Sequence, residues 1–189
     1  MHALFSSIHR AFPCFDEPSF KSTFTTTLVR PSGDGYIALS NMPEAASKVD
    51  TPEVGLTEVT FEKSVPMVTY LAIFVVCDFS YLEGTIDSGK IPLRVYGTQK
   101  NVPHLEYATH IASKITEFYQ DYFRIKYPLP KLDMAAIPDY SSGATEHWGL
   151  ITYRETNLVY DPRESSFQNK VRVADVIAHE LVTAQYGSV

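Results

Sequence analysis

Cysteine is scarce: Cys14 and Cys77 are the only two in 189 residues. Two thiols cannot build a multi-bridge scaffold, and neither belongs to the C-x-x-C spacing of a zinc ribbon. Positive charge is in deficit, with 16 Lys and Arg against 22 Asp and Glu and a formal net charge of -6. A nucleic-acid binder needs a basic stripe, so no nucleic-acid partner is expected. Long apolar runs are missing too. The longest, at residues 71–77, is strand-length and far short of the ~18 residues that a bilayer span requires. No membrane segment is expected. The opening residues Met1-His2-Ala3-Leu4-Phe5 carry no basic lead and are too short for a signal peptide, which leaves the localisation open.

What is present is ordinary globular protein, 44% hydrophobic and 13% aromatic. The length suits one domain or two small ones, and a chain of this size buries roughly 70% of its unfolded surface. Residues 20–30, rich in Thr and Phe and roughly alternating, read as a strand, as do 36–41, 57–63, 67–79 and 93–96. Pro- and Gly-rich turns at 31–35 and 87–90 separate them. Short strands at this spacing suggest a sandwich. Near residue 98 the period changes. Leu105, Ala108, Ile111, Ile115, Phe118 and Tyr122 fall at helical spacing over 102–124, with Pro128 and Pro130 as stops. Strands at 132–137 and 148–153 follow, then a helix over 168–186 with Gly187 as a plausible stop. The expected class is therefore α+β, divided into residues 1–90, β-rich, and 91–189, mixed.

One pair of residues draws chemical interest. His179 and Glu180 lie in the middle of the second helix. An H-E-x-x-H helix works because residues four apart share a face, so two imidazoles grip one zinc and the glutamate reaches its water. Here Thr183 replaces the second histidine. By itself such a pair is weak evidence and more often marks a surface or capping role.

The surrounding motifs add weight. G-A-T-E-H-W-G-L-I-T-Y-R-E-T at residues 143–156 resembles the G-A-M-E-N-W-G-L-I-T-Y-R-E-T signature of zinc aminopeptidases of the aminopeptidase N and glutamyl aminopeptidase type. F-P-C-F-D-E-P at 12–18, F-E-K-S-V-P-M at 61–67, P-K-L-D at 130–133, A-I-P-D at 136–139 and V-I-A-H-E-L-V at 176–182 match the same family in order. The resemblance implies the later part of an N-terminal β-sandwich followed by the first part of a thermolysin-like catalytic domain. It implies that Glu146 grips the free α-amine of a peptide, and that Gly143 and Ala144 offer backbone to it as an added strand. It implies His179 as a zinc ligand and Glu180 as the general base on zinc-bound water. Peptides with a free N-terminus are the implied partners; a homo-oligomer is a further expectation. Many relatives are membrane-anchored with an extracellular catalytic region.

Departures from the family are as specific as the matches. Thr145 stands where Met is usual, His147 where Asn is usual, and Thr183 where the second zinc histidine belongs. After Val182 the family reads H-Q-W-F-G-N and this chain reads Thr183-Ala184-Gln185-Tyr186-Gly187-Ser188. Residues 6–11 and His2 depart from the family as well. The third zinc ligand, a glutamate on a following helix, and the oxyanion-stabilising tyrosine belong to a later region. The expectation is thus a fragment of a zinc aminopeptidase that binds no stoichiometric zinc and is inactive alone. The alternative is a non-catalytic module that binds peptides or acts as a decoy or oligomerisation partner.

Overall fold

The computed structural model describes residues 11–33 and 35–186. The readings at His2 and residues 6–10, and the helix stop at Gly187, lie outside them. By its contacts the chain divides into two compact units, Met1–Phe79 and Ser80–Val189.

The first unit is β-structure. Strands β1 (Lys21–Ser22), β2 (Thr27–Pro31), β3 (Ile37–Ser40), β4 (Glu44–Val49), β5 (Leu56–Phe61), β6 (Met67–Val68) and β7 (Phe74–Cys77) form three small antiparallel sheets, ordered β1-β6, β2-β5-β4 and β3-β7. β5 alternates cleanly and buries Thr57, Val59 and Phe61 on one face. β4 is exposed at every position and edges its sheet. The single strand expected over 67–79 is broken. A 3-10 turn at Thr69–Leu71 interrupts it, because Asn41 offers that backbone a better partner than a ladder. Its Nδ2 donates to the Leu71 carbonyl at 2.8 Å and its Oδ1 accepts from the Ile73 N–H at 3.1 Å.

The second unit carries the mixed part of the α+β fold. Its sheet has the order β11-β12-β10-β9-β8, from β8 (Ser80–Ile86), β9 (Ile91–Gly97), β10 (Leu132–Ile137), β11 (Ala144–Thr145) and β12 (Leu150–Arg154). β9, β10 and β12 run parallel; β8 and β11 are antiparallel edges. β10 is buried at all six positions, as a central parallel strand covered on both faces should be. Helices α1 (Glu106–Phe123) and α2 (Phe167–Tyr186) pack against each other, and Tyr119 on α1 donates its hydroxyl to the Ala178 carbonyl of α2 at 3.2 Å. α1 ends before either proline, where Arg124 turns left-handed at φ 58°. It also lies tight on β8: a Cβ at Gly84 would meet Thr109 Cγ2 at 2.8 Å, so a larger residue there would have to push the Thr109 side chain aside. None of the helices among the described residues is long and apolar enough to cross a membrane.

Candidate peptide-binding edge and its neighbouring helix

The G-A-T-E-H run occupies the outer edge of the second sheet. Ala144 and Thr145 form β11, opposite Tyr153 and Thr152 of β12. Side chains alternate along a strand, so Thr145 and Thr152 share one face while Ala144 and Tyr153 share the other. On the first face the Tyr140 hydroxyl bonds to both Thr145 Oγ1, at 2.5 Å, and Thr152 Oγ1, at 2.8 Å. Thr145, which stands where the resemblance has Met, is thereby absorbed into a hydroxyl cluster.

On the second face the chain presents its titratable groups. Glu180, in the middle of α2, is only 7% exposed. Burial, and after it the charge of Glu146, push its carboxyl up to about 7, with His179 opposing them. Glu146 and Glu180 are thus close enough to repel each other. Tyr153 is fully buried, and its hydroxyl has no hydrogen-bond partner among the described residues. Burial and then the charge of Glu180 hold that hydroxyl protonated far above its ordinary range. Two carboxylates this close repel each other, a repulsion that a nearby cation would relieve.

The loop entering β11 is fixed along its whole length. Arg154 Nε donates to the carbonyls of Tyr140 (3.0 Å) and Ser142 (3.2 Å), and its Nη2 donates to that of Ser141 (2.8 Å). The Gly143 carbonyl accepts from the Arg154 N–H at 3.0 Å and from Asn157 Nδ2 at 2.9 Å. On the other side of the run, Lys131 and Asp133 form a buried pair at 2.8 Å, and Lys131 Nζ also donates to the Gly149 carbonyl at 2.8 Å. Gly149 itself sits at φ 89°, which a side chain resists.

Of the residues singled out from the sequence, Gly143, Ala144 and Glu146 lie together on this loop and edge, with Glu180 opposite Glu146. His179 is on the exposed side of α2. Among the described residues, no three His, Cys, Asp or Glu side chains converge as a metal site. Thr183, one helical turn from His179, spends its hydroxyl hydrogen on the His179 carbonyl at 2.8 Å, and a neutral hydroxyl is a poor zinc ligand. Arg154, Asn157 and Tyr140 escape the sequence reading. In the sequence only Tyr140 adjoins the Ser141-Ser142-Gly143 loop, while Arg154 and Asn157 lie more than ten residues beyond it.

A family model described as the peptidase family M1 domain matches residues 107–188, and another described as the peptidase M1 N-terminal domain matches residues 6–71. Glutamyl aminopeptidase of Homo sapiens is 48% identical over 180 residues, covering 95% of this chain and 18% of its own length. That of Sus scrofa is also 48% identical, covering 95% and 19%. Endoplasmic reticulum aminopeptidase 2 of Bos taurus is 49% identical, covering 94% and 18%. The chain spans about a fifth of the length of these relatives.

Proposed function

The chain belongs to the peptidase M1 family, and on that premise we propose that it is the substrate-holding part of an aminopeptidase, able by itself to capture a peptide's N-terminus and unable to hydrolyse it. The observation that carries this reading is the pairing of Glu146 with the buried Glu180 next to the β11 edge. An extended peptide adds to that edge through main-chain hydrogen bonds, with the Gly143–Ala144 backbone as its template. Its ammonium group then lies against Glu146, which limits capture to a free first residue. The resemblance assigns Glu180 proton abstraction and His179 metal ligation; with Thr183 in place of a second histidine, no step through zinc is derived for this chain.

Peptide titration tests the reading. A free-amine peptide is expected to bind, its acetylated form to bind at least about tenfold more weakly, and Glu146→Gln to abolish the difference. Equal affinity for the two peptides would overturn capture by the amine. Turnover of an aminoacyl chromogenic substrate, lost with chelator and with Glu180→Ala, would overturn the absence of hydrolysis.

A further inference from the structure

The peptide-binding edge is tied to α2 by a relay of side-chain bonds. α2 reaches the 3-10 turn at Glu155–Asn157 twice: Asn169 Nδ2 donates to the Thr156 carbonyl at 3.0 Å, and Arg172 Nε donates to Asn157 Oδ1 at 2.7 Å. Asn157 is 1% exposed and uses both ends of its amide, because its Nδ2 goes on to the Gly143 carbonyl at 2.9 Å. The orientation of that amide is fixed by its partners. Turning it over would set donor against the arginine donor and acceptor against the glycine acceptor. Contact is close enough that a Cβ on Gly143 would meet Nδ2 at 3.3 Å.

Gly143 is the residue immediately before β11 and three before Glu146. We propose that Asn157, set by Arg172, is a positioning residue that adds a second hold on the Gly143 carbonyl, beside the Arg154 N–H of the β11–β12 ladder, and so couples α2 to the β11 edge, and the two then move as one piece. This rests on the reading of β11 as the edge where peptide adds. The chemistry favours the relay over simple packing. An arginine donates a charge-assisted bond to an amide oxygen, which polarises the amide and strengthens the N–H on its far side. An edge held in one register binds an incoming strand without first losing loop freedom. Glu146, the residue after β11, and Glu180 on α2 then keep a constant separation.

Three substitutions divide the relay. Asn157→Asp keeps the volume and the arginine contact but places a carboxylate oxygen against the Gly143 carbonyl. Arg172→Ala removes an exposed side chain and leaves Asn157 in place, and Arg172→Lys returns one donor. Backbone hydrogen exchange over residues 141–146 is read for each, with affinity for an alanine-based pentapeptide bearing a free amine. In Asn157→Asp, exchange in this segment is expected to rise about tenfold and affinity to fall about tenfold, with a smaller change of about threefold in Arg172→Ala that Arg172→Lys reverses. Unchanged exchange in both Asn157→Asp and Arg172→Ala overturns the relay. If Asn157→Asp does not fold, the Arg172 pair decides alone. A parent chain that binds no peptide overturns the proposed function instead, and the exchange still decides whether α2 fixes the edge.

Discussion

At the scale of single residues, the chain departs from its family by changes that leave different physical traces. Thr145 is compensated, since Tyr140 satisfies its hydroxyl and that of Thr152 together. Thr183 is absorbed by its own helix. Gln185 is not compensated: it is 2% exposed, and neither its Oε1 nor its Nε2 has a hydrogen-bond partner among the described residues. Counted without gaps, it stands where the family has Trp. A buried amide left unsatisfied costs on the order of 1–3 kcal/mol, whereas an apolar side chain of similar size there costs nothing of the kind. Gln185→Leu is therefore expected to raise the unfolding free energy by about 1–2 kcal/mol, measured by urea denaturation; an unchanged or lower midpoint would show that the amide is satisfied. The site's legibility follows the same division. Gly143, Ala144, Glu146, His179 and Glu180 are visible in the sequence because motif chemistry names residue types. Asn157 and Arg154 are not, because their work is to bond backbone carbonyls, which any polar side chain can do.

At the scale of elements, both helices are legible from their period, while the sheets are legible only in part. β4 is exposed throughout and rich in Ala, so it shows neither alternation nor a run of β-branched residues, and only pairing with β5 makes it a strand. β8 contains Gly84, which reads as a breaker in sequence but in the fold admits α1. β11 is two residues long, below what any period can reveal, yet it is the element on which the proposed function depends. Helix packing gives the prediction at this scale. The Tyr119 hydroxyl donates from α1 to the backbone of α2 at Ala178, between the buried Ile177 and Leu181 of the same helix. Tyr119→Phe keeps the ring and removes that bond, so a loss of about 0.5–1.5 kcal/mol is expected. A loss of nothing, by thermal or urea unfolding, would mean that apolar packing alone joins the helices.

At the scale of the whole molecule, the two units should answer pH differently. In the second, Glu180 has its carboxyl raised from an ordinary 4.5 to about 7. Below about pH 4.5 it is protonated both folded and unfolded, and the folded state bears no penalty. As pH rises from there the unfolded chain ionises first, so stability falls through the window and is fully diminished above about pH 7. The size of the effect is on the order of 1–3 kcal/mol. In the first unit the strongly shifted group among the described residues is the Cys77 thiol, raised to about 11 by burial, outside this window. The sequence contains a single tryptophan, Trp148, and it lies in the second unit, so its fluorescence follows that unit's unfolding. With chelator present, urea midpoints read by Trp148 should decline between about pH 4.5 and 7 in the parent and stay nearly level in Glu180→Gln, once both are compared at each pH. Glu146→Gln should fall between them, since it removes one of the two causes of the shift and leaves burial. Parallel curves for parent and Glu180→Gln would mean that the Glu180 carboxyl is ionised in the fold at neutral pH, and that the repulsion between the two carboxylates is already relieved without a bound ammonium.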